Sequence, residues 1–168
     1  NITKMKSASP VIVLLPLILS LVALCPQAQG EEIKRTCESA VNEALCVSSL
    51  RSIPGSDKAN LSTLSGMAIN LAIANGTAVS NQIKQLVAQT TDSFNKPRLH
   101  DCSENYETAI SQLKDALAAL PSKRYNDALT WIQAAMTESE TCEDGFAEMP
   151  GHASMITDKN KMFQQLCG

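Results

Sequence analysis

The sequence predicts an all-α protein: a helical bundle with a small N-terminal hairpin, held by two disulfides. Three observations carry this. Apolar residues recur at steps of three and four along stretches of more than twenty residues, which is the helical period. Aromatic residues are only 4% of the 168-residue chain although 44% of it is apolar. That mix suits packed helices and leaves little for a β-sandwich, whose strands draw on β-branched and aromatic side chains. Six cysteines follow or lie within a segment laid out for export, which makes disulfides the default state.

The export segment comes first. Met5 and Lys6 open a short basic stretch, and Val11 to Cys25 is almost wholly apolar apart from Pro16 and Ser20. Ala28 and Gly30 then supply small residues before Glu31. This is the order of a secretory signal peptide. The rival, a membrane span, needs about 20 apolar residues, and this run is shorter. Residues 1–30 are therefore expected to be upstream residues and a signal peptide, and residues 31–168 a secreted domain with no membrane attachment after cleavage. Residues 31–168 hold all 17 acidic residues but 12 of the 14 Lys and Arg. The charges are mixed, with no basic stripe, which argues against a nucleic-acid partner.

Glu31 to Ile53 reads as short helical pieces, ended by the break at Pro54, Gly55 and Ser56. A long helix is expected from about Asn60 to Thr91, with Leu61, Leu64, Ala68, Leu71, Ala78, Ile83, Leu86 and Thr90 facing inward. Gly66 and Gly76 are weak spots in it, each about 1 kcal/mol worse than Ala. Ser93 to Lys96 form a turn, and Pro97 suits the first turn of the next helix. Two helices joined at Pro121 and Ser122 occupy 97–144. Leu99, Cys102, Tyr106, Ala109, Leu113, Ala116 and Leu120 line one; Tyr125, Ala128, Ile132, Ala135 and Met136 line the other. Asp144-Gly145 reads as a helix end, and Gly145 to Ser154, with Pro150 and Gly151, as a loop. A last helix starts near Thr157 or Asp158, either of which can cap it. It reaches Gly168 so soon that it is expected to be cut short.

Cys25 leaves with the signal segment. No Cys-x-x-Cys occurs and the histidines are His100 and His152, so no metal or other cofactor is expected. In an antiparallel helical hairpin, residues equally far from the turn face each other. Cys102 and Cys142 average to position 122, the turn itself, so they pair, and Cys37 pairs locally with Cys46. Loop closure makes the long bridge worth about 4 kcal/mol and the short one about 3. Cys167 is left as a buried or free thiol, with a link between chains as the alternative. Two N-glycosylation sequons begin at Asn60 and Asn75. Asn60, at a helix start, is the better acceptor context.

Nothing points to an enzyme: there is no Gly-x-Ser-x-Gly, His-Glu-x-x-His or phosphate-binding glycine loop. His100 and Asp101 diverge by about 100° on a helix, so His100 reads as a surface residue. A small-ligand or lipid carrier, with Tyr106, Trp131 and Met136 lining a cavity, is a rival; core packing is the plainer reading of those residues.

Two blocks are specific. One is Leu99, Asp101, Cys102, Glu104, Tyr106, Ala109, Leu113 and Ala116-Leu117. The other is Trp131-Ile132, Ala134 to Thr137 and Thr141 to Phe146. Preceded by the Cys37–Cys46 pair, they resemble the plant invertase and pectin methylesterase inhibitor family from about residue 31 onward. The resemblance implies an up-and-down four-helix bundle with an N-terminal helical hairpin, the same disulfide pairing and an apoplastic location. Some members carry a further cysteine where Cys167 falls. Ala40, Asn42-Glu43 and Gln133 depart from the family pattern.

The resemblance also implies an inhibitor acting sterically, in a one-to-one complex across the substrate cleft of pectin methylesterase; inhibition of invertase is the alternative. Lys123-Arg124-Tyr125 replaces the Pro-Lys-Phe of the invertase type, and Trp131 with Thr141 to Phe146 is closer to methylesterase inhibitors and to the pro-regions fused to some methylesterases. On the outward helix faces Glu107, Ser111, Lys114, Thr130 and Thr137 are the expected contacts. The acidic balance predicts that binding varies with pH between about 5 and 7.

Overall fold

A computed structural model describes residues 30–148 and 154–168. The expected signal segment before Gly30, and Pro150, Gly151 and His152, lie outside the described residues. The elements are α1 (Glu31–Cys37), α2 (Glu43–Arg51), α3 (Leu61–Gln89), α4 (Asn95–Ala119), α5 (Tyr125–Ala147) and α6 (Thr157–Cys167). Short 3-10 turns occupy Ser56–Lys58 and Leu120–Ser122. No strand occurs among the described residues.

Local chemistry sets the boundaries. The Asn42 side chain accepts from the Leu45 amide at 3.1 Å, opening α2. Asn60 accepts from the Thr63 amide at 3.0 Å, opening α3. Asp92 accepts from the amides of Phe94 and Asn95 at 3.1 and 2.7 Å, opening α4. Each satisfies donors that a helix start leaves free. Gly55 in the break before α3 has φ 83°, a conformation glycine adopts without a Cβ penalty.

Helices α3 to α6 form the bundle: α4 packs on α3 and α5, and α6 closes the ring against α5 and α3. Its core includes Ile69, Val79, Ile83, Leu99, Tyr106, Leu113, Phe146 and Phe163. A second, smaller core of Ile33, Cys37, Leu50 and Leu64 lies under the α1–α2 hairpin. Cys37 is bonded to Cys46 with Cα atoms 5.7 Å apart, and Cys102 to Cys142 with Cα atoms 4.7 Å apart. Cys167 is a free, partly buried thiol.

Every inward position expected on α4 is buried. On α5, Ala128 and Ala135 are buried, but Tyr125, the first helical residue, is 52% exposed. The face of α3 differs more. Its buried residues are Leu64, Ile69, Ala72, Gly76, Val79, Ser80 and Ile83, whereas Leu61 and Ala78 are exposed and Ala68, Leu71, Leu86 and Thr90 only half-buried. Of the expected face, Leu64 and Ile83 are buried. The real seam runs through Ala72, Gly76 and Ser80, whose small side chains let a neighbouring helix come close.

Gly76 is thus a packing position, not a weak spot. A Cβ there would lie 2.9 Å from Cε2 of Phe163 and 3.4 Å from Ile110. Two boundary expectations also change. Helix α5 runs past Gly145 to Ala147, because the Gly145 carbonyl is engaged by Arg98. Neither Thr157 nor Asp158 caps α6: Ile156 holds the cap position without a side-chain bond, and Thr157 is the first helical residue.

Candidate functional site

Helices α4 and α5 pack along each other, and three kinds of tie hold them together. The first is the Cys102–Cys142 bridge, buried at both ends. The second is Arg98, four residues before Cys102. Its Nε donates to the Gly145 carbonyl at 2.6 Å, its Nη1 to the Phe94 carbonyl at 3.1 Å and its Nη2 to Glu148 at 3.2 Å. The guanidinium also lies 3.7 Å over the Phe94 ring, a favourable cation–π geometry. The third is a buried polar chain. The Tyr106 hydroxyl donates to Asn160 Oδ1 at 2.7 Å, and Asn160 Nδ2 donates to Glu143 Oε2 at 2.5 Å. The Thr157 hydroxyl donates to the other oxygen of Glu143. This chain joins α4, α5 and α6. Burial is the main cause that pushes the Tyr106 phenol pKa up, so the hydroxyl stays a donor.

The Arg98 clamp was not singled out from sequence, yet the rule that pairs Cys102 with Cys142 would find it. Arg98 faces Gly145 and Glu148 across the same midpoint near residue 122.

Glu107, Ser111 and Lys114 are exposed on α4. They form one stripe, turned toward α3, because Glu107 pairs with Lys84 of α3 at 2.7 Å. The hydrogen bond from Lys84, then its charge, holds the Glu107 carboxyl below the usual carboxylate range. Gln112, which donates to Glu138 at 3.4 Å, marks the side of α4 turned toward α5. Thr130 and Thr137 are exposed on α5. Their hydroxyls donate to the Asn126 and Gln133 carbonyls at 2.9 and 3.1 Å, which leaves oxygen lone pairs and methyl groups facing outward. The five residues therefore do not form one cluster; they stand on two stripes, one on each helix. Trp131, 40% exposed on α5, adds an aromatic surface beside the threonines.

Tyr106, Trp131 and Met136 do not share a cavity. Tyr106 is packed 5.3 Å from the Phe163 ring, Trp131 is exposed and Met136 is half-buried. A cleft of about 320 Å³ lies between the α1–α2 hairpin, α3, α5 and the end of α6, with Leu50, Leu71, Leu129 and Leu166 among its walls and none of those three. Cys167 borders it; burial pushes its thiol pKa up to about 12, so it stays protonated and a poor nucleophile.

His100 is an exposed residue whose Nδ1 lies 3.7 Å from Glu104. No group of three metal-ligating side chains occurs among the described residues, and no helix among them is long and apolar enough to cross a membrane.

Residues 31–168 match the family described as plant invertase/pectin methylesterase inhibitor. The chain is 39% identical over 126 residues to a putative invertase inhibitor of Platanus orientalis, covering 75% of this chain and 74% of that protein. It is 33% identical over 141 residues to a pectinesterase inhibitor of Actinidia deliciosa, covering 84% and 76%. A crystal structure of a mutant form of a pectin methylesterase inhibitor from Arabidopsis superposes with a TM-score of 0.69 at 23% identity, over 81% of this chain and 90% of that one; at that identity the likeness speaks for the fold. Both of these relatives are named as inhibitors, and the family match spans the hairpin and the bundle alike. The chain belongs to the plant invertase/pectin methylesterase inhibitor family, a family of enzyme inhibitors.

Proposed function

We propose that this protein is exported to the plant cell wall and inhibits pectin methylesterase there, by laying the outer surface of α4 and α5 across the enzyme's substrate cleft in a one-to-one complex. The observation that carries this reading is the stiffness of that pair. Two helices of 25 and 23 residues are tied by a disulfide, by the Arg98 clamp and by the Tyr106–Asn160–Glu143 chain. A surface ordered in advance loses little entropy on docking, and a broad helical face can exclude a polymer from an open cleft. Thr130 and Thr137 offer acceptors and methyl groups on one stripe; Glu107, Ser111 and Lys114 offer polar contacts on the other.

Invertase is the second reading. It is favoured by the name of the Platanus relative. The test is residual activity of pectin methylesterase and of acid invertase with the oxidised protein added. Methylesterase activity is expected to fall and invertase activity to persist. Thr130→Arg or Thr137→Arg should raise the concentration for half-inhibition about 10-fold, the effect of disturbing one central contact. Loss of invertase activity alone would replace this reading with the second one.

A further inference from the structure

We infer that the secreted protein carries an N-linked glycan on Asn60 and none on Asn75. The sequence offers both as sequons, Asn60-Leu61-Ser62 and Asn75-Gly76-Thr77. Their surroundings differ in ways only the fold reveals.

Asn60 is exposed and stands just before α3 in extended backbone, φ −81° and ψ 169°. Its Oδ1 takes two cap bonds, from the amide and from the hydroxyl of Thr63, each at 3.0 Å. The cap uses the oxygen; the sugar attaches to the nitrogen. A glycosylated asparagine keeps its amide oxygen, so cap and sugar coexist. Leu61, Ser62 and Thr63 are exposed as well, so the whole sequon lies open to solvent.

Asn75 lies midway along the 29-residue α3 and is half-buried. Its Oδ1 is buried without a hydrogen-bond partner. The next residue, Gly76, is buried so closely against Phe163 and Ile110 that even a Cβ is out of place. A saccharide on Asn75 would lie at this seam and hold α3 away from its neighbours. Sugar is added to the chain before it folds, so both sequons are presented. Chains modified at Asn75 cannot close the bundle and do not accumulate as folded product.

The donor is an oligosaccharide linked to a lipid pyrophosphate. The bond from its anomeric carbon to the pyrophosphate oxygen breaks and a bond to Asn60 Nδ2 forms. The nitrogen gives up one proton and the lipid pyrophosphate leaves. The inference rests on the export reading of residues 1–30 and is independent of which enzyme is inhibited.

The experiment is to express the full chain in plant cells, recover the protein from the medium, and measure its intact mass and map its glycopeptides. One glycan is expected, on Asn60. Asn60→Asp keeps the capping oxygen but removes the acceptor nitrogen, and Ser62→Ala removes the sequon without touching the cap; both should be secreted at the unmodified mass. Asn75→Gln should keep the same mass increment as the parent. A bare Asn60, a glycan on Asn75, or a chain retained inside the cell without sugar would each overturn the inference.

Discussion

The α4–α5 pair and the α1–α2 pair are both helical hairpins closed by one disulfide, but the bond serves them differently. Helices α4 and α5 run 25 and 23 residues and share a continuous apolar seam. Cys102–Cys142 closes the end away from the turn, where Arg98 already reaches across. Helices α1 and α2 have 7 and 9 residues, lengths that are marginal alone in water. Their core has four buried members, one of which, Leu64, belongs to α3. In the long hairpin the covalent bond stiffens an interface that packing has already made. In the short one it holds together helices that packing alone does not support.

The largest expected effect probes that contrast directly. Replacing Cys102 and Cys142 by Ala should lower stability by about 4 kcal/mol, and replacing Cys37 and Cys46 by about 3, read from urea unfolding. Hydrogen exchange should then separate the two. The first variant should lose protection across α4 and α5 and bind its target more weakly. The second should lose protection in α1 and α2 while α4 and α5 stay protected. Equal loss of protection everywhere would erase the distinction.

The next effect concerns the two glycines of α3. Gly76→Ala forces a Cβ against the Phe163 ring edge, which is itself fully buried. Overpacking costs about 1–3 kcal/mol against a helix-propensity gain of about 1, so a net loss of about 1 is expected by thermal unfolding. At Gly66 the nearest atoms are the Leu117 and Leu120 methyls at 3.7 and 3.8 Å, and Ala there should stabilise by about 0.5–1 kcal/mol. Opposite signs at the two sites would locate the tight seam at α6.

Similar in size is Tyr106→Phe. It removes the donor to Asn160 Oδ1 and should cost about 1–2 kcal/mol, as for a buried acceptor left unpaired. Destabilisation confined to α6 in hydrogen exchange would show that the polar chain fastens this helix to the α4–α5 pair.

The smallest effect is electrostatic. The Glu107 carboxyl has a lowered pKa in the fold because of Lys84. The pair therefore adds stability above the ordinary carboxylate range, and that contribution is lost as pH falls through the lowered value. Lys84→Ala should flatten the acid side of the stability profile slightly. For the same reason Glu107 stays ionised between about pH 5 and 7. Any change in affinity across that window should survive Glu107→Gln, measured by inhibition at both pH values.

Much of this architecture was legible in the residues. The inner face of α4 is read without error because Leu99, Tyr106 and Leu113 are large, regularly spaced and opposed to polar positions. The pairing of Cys102 with Cys142 follows from symmetry about residue 122, since an antiparallel hairpin makes distance from the turn a spatial coordinate. The α3 face was legible only in part: Leu64 and Ile83 are buried as expected, but burial also falls on Ala72, Gly76 and Ser80, small residues whose role depends on which side chain arrives from a neighbouring helix. The outward residues were identified as exposed, but not as two separate stripes.

Helical period, turn position and disulfide partner are properties of one chain segment or of a simple mirror relation, and the sequence alone determined them. The placing of Phe163 on Gly76, the joining of Glu143 to Asn160 and Thr157, and the contrast between an open Asn60 and an enclosed Asn75 were decided only in the tertiary structure. Each depends on contact between segments far apart in the chain, set by how α6 docks, and no local pattern encodes that distance.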